Sequence, residues 1–186
     1  MISAIGYSWG ALGAFWLAGL AFTKPTVRSQ SEGTRIFHLA LAFLGFALLG
    51  SHWFESGWLG THFVPAARGV QLAGLALTLA GCLFAGWARI VLGGNWSGRV
   101  TVKAGHELVV TGPYALARHP IYTGIAVASA GTALAVGEWR CLVGIVVILL
   151  ALLVKMSQEE RLMAQAFPEA YPLYCRRVKA LIPGLL

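Results

Sequence analysis

Between Gly112 and Gly124 the chain sets Tyr114, Arg118, His119 and Tyr122 around Pro113 and Pro120, directly ahead of a long apolar run. Polar groups beside hydrocarbon are costly unless they are paired or put to use. Pro120 suits the first turn of a helix, where its missing N–H costs nothing. Arg118 and His119 then fall at a helix N-terminus, whose free amides and dipole favour an anion. The faces of Tyr114 and Tyr122 attract cations, sulfonium and quaternary ammonium groups included. Together they describe a site for a zwitterion; the competing reading is an interfacial anchor of aromatic and basic residues. A second cluster follows the last apolar run, where the four-residue spacing of Lys155 and Glu159 puts both on one helical face, with Glu160 beside them. It reads either as a solvated ion pair or as Glu159 holding a ligand's hydroxyl or amino group while Lys155 holds an anionic substrate.

The elements that must position these residues are membrane helices. Of 186 residues, 58% are hydrophobic and only 11% charged, with a mean hydropathy of +0.72, against about 25% charged residues in a soluble domain. Apolar blocks run over Ala4–Phe22, Ile36–Phe54, Val70–Leu92 and Ile121–Val154. The last is broken near its middle by Gly137-Glu138-Trp139-Arg140, so it reads as two helices joined by a tight turn. The expected fold is therefore all-α and integral to the membrane, with five transmembrane helices. Residues 1–92 carry the first three helices, and residues 93–186 hold the reactive region, two more helices and a C-terminal helix and tail. Gly69, Gly74, Gly81 and Gly86 point to close helix packing along the third helix.

The net charge of +7 raises nucleic acid as a partner, but its distribution argues against one. Under the five-helix reading, twelve Lys and Arg lie on one side and only Arg68 and Arg140 on the other. That is a positive-inside pattern. It puts the N-terminus outside, and the 93–120 connection and the tail together in the cytoplasm. Ala4–Phe22 lacks a basic stretch ahead of it and fits a retained first helix better than a cleaved signal. Cys82, Cys141 and Cys175 show no paired spacing, and His38, His52 and His62 form no metal motif in a chain without Asp. No metal is expected, and the histidines read as packed or interfacial. Arg176, Arg177 and Lys179 suit anionic lipid headgroups.

At His106-Glu107-Leu108-Val109, Gly112-Pro113-Tyr114, Arg118-His119-Pro120-x-Tyr122-x-Gly124, Glu159-Glu160 and the tail from Phe167 to Val178, the sequence resembles the isoprenylcysteine carboxyl methyltransferase family. Related membrane methyltransferases include the phospholipid N-methyltransferases. The resemblance covers roughly residues 93–183. It implies an enzyme dependent on S-adenosylmethionine, acting on a lipophilic small molecule or lipid, with its cofactor pocket on the cytosolic side. The implied cofactor contacts are Arg99, His106, Glu107, Leu108, Val109, Tyr114, His119, Pro120, Ile121, Tyr122, Glu159 and Glu160. Lys155 and Arg118 are the expected catalytic residues, and Lys155 and Arg177 the expected substrate contacts. Lys155 falls where the carboxyl methyltransferases use an arginine. Lysine keeps the charge but loses bidentate recognition of a carboxylate, so methyl transfer is implied more firmly than its acceptor. Phospholipid N-methylation and a non-enzymatic membrane protein are the alternatives.

Overall fold

The computed structural model describes residues 1–23, 26–29, 32–96, 101–103 and 107–182. Five apolar helices form the body: α1 (Ile2–Gly19), α2 (Glu32–Gly50), α3 (Arg68–Leu92), α4 (Pro120–Val136) and α5 (Trp139–Ala166). A short α6 (Ala170–Arg177) follows. Hydrocarbon offers no partners to backbone amides, which is why apolar segments of this length close their bonds internally as helices. Among the described residues four segments are long and apolar enough to cross a membrane: Ile2–Phe22, Gly33–Gly50, Arg68–Asn95 and Trp139–Ala166. The fourth apolar helix, Pro120–Val136, has 17 residues and falls short of that length. Five spans are thus expected from the sequence, while length supports four spans and one shorter apolar helix.

The expected break between the last two helices is present. Gly137 ends α4 at φ +78, a left-handed conformation, and its N–H bonds to Ala133 O at 2.8 Å. A Cβ there would sit 3.2 Å from Val64, so glycine serves both backbone and packing. The 55–65 connection is zipped onto this turn by Phe63 N–H to Gly137 O (2.8 Å) and Trp139 N–H to Thr61 O (3.1 Å). α5 does not stop at Val154 but continues unbroken to Ala166. Pro168 disfavours the helical region for Phe167, which leaves it at φ −132, ψ 66.

Small residues decide how the helices meet. A Cβ built on Gly74 would lie 2.6 Å from Gly131 O, and one on Gly81 would lie 2.4 Å from Ala128 N. From the α4 side, Gly124 and Gly131 press equally closely on Ala85 and Thr78. This α3–α4 seam bears out the packing role expected of Gly74 and Gly81. Gly69 and Gly86 have nothing within 4 Å and take no part in it, because they project off the seam. Gly45 plays the same role for α2 against Gly144 and Ile148 of α5.

Among the described residues, a short strand pair departs from the all-α expectation. β1 (Thr26–Ser29) pairs antiparallel with β2 (Thr101–Lys103), aligning Thr26 with Lys103 and Ser29 with Thr101. Between membrane helices such connections must still satisfy their amides, and β-branched residues favour pairing over a turn of helix.

Candidate functional site

The segment ahead of α4 is held from the tail. Arg118 N–H donates to Lys179 O (2.8 Å), His119 N–H to Ala180 O (2.9 Å), and Thr123 Oγ1 to Leu181 O (2.7 Å). Tyr174 donates its hydroxyl to Tyr114 O at 2.6 Å. The amides of Tyr122 and Thr123 return to His119 O at 2.9 and 3.1 Å. Most amides expected to face an anion at this helix end are therefore already used, which weakens the helix-terminus reading and shifts binding to side chains.

Those side chains form a sandwich. His119 stacks on Tyr122 with ring centroids 5.3 Å apart and planes 2° from parallel. Its Nδ1 lies 3.5 Å from Glu159 Oε2 and its Nε2 lies 3.3 Å from Glu160 Oε1. The two carboxylates come from consecutive residues of α5 and so leave the helix in different directions, and one imidazole bridges them. Burial disfavours the His119 imidazolium, but hydrogen bonds and charge from Glu159 and Glu160 outweigh burial and hold its pKa above the ordinary value. Glu160 also accepts from Arg118 through Nε (3.1 Å) and Nη2 (2.6 Å), while Arg118 Nη1 donates to Val178 O at 2.7 Å. On the other side, Lys155 Nζ is 3.9 Å from Glu159 Oε1 and 5.7 Å from the Tyr122 ring centroid.

These groups close one end of a cavity of about 300 Å³, within the size range of ligand pockets. Glu107, Leu108, Val109, Tyr114, Arg118, His119, Pro120, Ile121, Tyr122, Lys155 and Glu159 all line it, so most of the residues singled out in the sequence meet at one place. Glu160 stands behind Arg118 and His119 and is not part of the wall. Arg177 is exposed at the end of α6, away from the cavity. Arg99 and His106 lie outside the described residues.

Several wall residues were not among the expected contacts. Trp16, Trp96, Tyr171 and Tyr174 add aromatic surface. His38 of α2 reaches the wall, buried, with Nδ1 at 3.1 Å from Thr34 O. Arg89 is buried under Trp96, 4.5 Å from the ring centroid, and donates to Gly93 O and Gly19 O, which ties α1 to α3 below the site. Burial raises the Tyr114 hydroxyl above its usual range and pushes Tyr174 up to about 12, so both remain neutral donors. The spacing of Tyr171 and Tyr174 on one face was the signal for the tail's part. No such periodicity marks Arg89 or Trp96.

Residues 74–165 match the isoprenylcysteine carboxyl methyltransferase (ICMT) family. The match begins within α3 and ends before the tail. The chain is also 28% identical over 152 residues to the cobalt-zinc-cadmium resistance protein CzcN of Cupriavidus metallidurans, covering 81% of this chain and 63% of that protein. It is 30% identical over 152 residues to the nickel-cobalt-cadmium resistance protein NccN of Alcaligenes xylosoxydans xylosoxydans, covering 81% and 64%. The chain thus spans a little under two thirds of the length of these relatives. Among the described residues no group of three or more His, Cys, Asp or Glu is placed to hold a metal ion.

Proposed function

From the premise that residues 74–165 carry a domain of the isoprenylcysteine carboxyl methyltransferase family, we propose that this protein is a membrane methyltransferase using S-adenosylmethionine on a lipophilic acceptor. The observation that carries this reading is the Tyr122–His119 stack between two carboxylates at the polar end of an otherwise apolar cavity. The donor set fits the cofactor's chemistry. Tyr122 and Trp96 offer faces to a sulfonium, Glu159 offers a carboxylate to an amine or hydroxyl, and the imidazolium of His119 faces a carboxylate. Arg99 and His106 complete the proposed contacts from the sequence. When bound, S-adenosylmethionine supplies an electrophilic methyl group.

The protein's part is alignment and exclusion of water. Glu159 and His119 orient the donor. Lys155, one helical turn before Glu159, directs an anionic or polarised acceptor head toward it. Leu39, Ala42, Ile125, Ile148 and Leu152 form an apolar arm that takes the acceptor's tail. The twelve-to-two distribution of basic residues supports a cytosolic position for the polar end and an outside N-terminus. Arg118, buried against Glu160 and two tail carbonyls, acts on this reading as a positioning residue.

Titration calorimetry of purified protein with S-adenosylmethionine tests the reading, with saturable binding expected; no binding would overturn it. Labelled methyl groups recovered in lipid extracts identify the acceptor, and methylated phosphatidylethanolamine would move the assignment to phospholipid N-methylation. The two relatives' names connect them with metal resistance. If methyl transfer underlies such a role here, a strain carrying His119→Ala should grow on cobalt or cadmium no better than one lacking the protein.

A further inference from the structure

A second cavity of about 300 Å³ lies toward the opposite end of the bundle, lined by Ile5, Trp9, Leu49, Thr132 and Val136 among others. Phe46 lines both cavities. On α2 it lies eight residues beyond His38, which stands at the polar end of the first cavity; at 1.5 Å per residue the apolar arm between them is about 12 Å long. Beyond Phe46 the second cavity follows the same helix to Gly50, and its far end is closed by His52, Glu55, Glu138 and Arg140. The partition is braced: Trp9 meets the Phe46 ring edge-on (centroids 5.3 Å apart, 76° between planes), and Trp9 Nε1–H donates to Thr132 Oγ1 of α4 at 3.0 Å. A single side chain, fixed by an aromatic neighbour that is itself pinned by a hydrogen bond, therefore stands between the apolar arm and a second space whose near wall is apolar.

Resting on the methyltransferase reading above, we propose that Phe46 sets the length of apolar tail the acceptor can carry. A tail of up to about 12 Å fits the arm measured along α2, and a longer one meets the Phe46 ring. Removing the ring joins the two cavities and admits the tail toward Leu49 and Val136. Closely fitted apolar pockets discriminate one methylene by roughly tenfold, so an aromatic stop of this kind gives a sharp cut-off rather than a gradual preference.

The test uses the full chain expressed in cells fed methyl-labelled methionine, with mass spectrometry of labelled lipids from wild type, Phe46→Ala, Phe46→Leu and Phe46→Trp. Phe46→Ala should shift labelled products to longer tails, with the ratio of long to short rising about tenfold. Phe46→Leu should shift it the same way by less, and Phe46→Trp the opposite way. Calorimetric binding of S-adenosylmethionine should stay as in wild type, because the polar end is untouched; it also reports that each variant is folded. If Phe46→Ala does not fold, Phe46→Leu and Phe46→Trp carry the test. Folded variants with the wild-type tail distribution would overturn the proposal. Wild-type protein that labels no lipid would overturn the methyltransferase reading, and this inference with it.

Discussion

Each end of the bundle buries an arginine against glutamate, and the two arrangements differ in what they leave over. Near the α4–α5 turn, Arg140 bonds to Glu138 and Glu55 and to the carbonyls of Leu48, Leu49 and Ser51. Its donors are spent on joining α2 to α5. At the opposite end Arg118 is bound as fully, to Glu160 and to the tail. Beside it, however, Lys155, Glu159 and His119 stand at longer range, 3.9 and 3.5 Å, and face a cavity. The difference separates two uses of buried charge. Saturated charge fixes helices, and under-used charge on a cavity wall is available to a ligand.

Removing Arg140 should have the largest effect on stability. Arg140→Ala leaves Glu138 without its buried partner, a loss of roughly 3–5 kcal/mol, read as a lowered Tm in detergent. The folded fraction should still bind S-adenosylmethionine as wild type does; an unchanged Tm would erase the contrast between the ends. Glu159→Gln should do the reverse. Losing a charge-assisted contact costs about 1.5–3 kcal/mol, hence at least about a tenfold loss of cofactor affinity by calorimetry, with Tm nearly unchanged. A large fall in Tm without loss of binding would make Glu159 structural.

Glu160→Gln gives a smaller effect that shows in pH. The groups on His119 are Glu159, Glu160 and Tyr122, with Lys155 on Glu159 and Arg118 on Glu160 behind them. Because its folded pKa is raised above 6.5, the stability from His119 is fully present below about pH 6.5 and is lost as pH rises through the raised value. Without Glu160 one of the two raising carboxylates is gone, so the decline in Tm should still begin near pH 6.5 but be smaller and level off at lower pH than in wild type. Superimposable Tm profiles would show that Glu160 does not act through His119. Lys155→Ala should change cofactor affinity least, within about threefold, since a loose pair is worth under 1 kcal/mol, while methyl transfer to the acceptor falls more. Equal losses in both would place Lys155 with the donor rather than the acceptor.

The sequence made the reactive end legible because its chemistry is local. Arg118, His119, Pro120 and Tyr122 are nearly consecutive, and Lys155 and Glu159 share a helical face. The turn at Gly137 was legible for the same reason, as a polar break in an apolar run. What stayed hidden depends on pairing across the bundle. Glu159 and Glu160 are both candidates in sequence; helix geometry points them apart, but only the packing shows that one faces the cavity and the other Arg118. Arg89, Trp96 and Phe46 sit in apolar surroundings that look like ordinary packing. The Gly74–Gly131 seam was half legible: the glycines announce close approach, but only the partner helix decides which of them make it.

The hydrogen bonds from Arg118, His119 and Thr123 to residues 179–181 make the cavity depend on the end of the tail. Membrane insertion handles helices as they are synthesised, and α1 to α5 are complete by Ala166. The floor of the cavity is finished only when residue 181 has cleared the ribosome and folded back. A chain cut between these points keeps α1 to α5 and lacks the carbonyls that accept from Arg118, His119 and Thr123. The helical frame and the closing of its cavity are therefore carried by separate stretches of the chain.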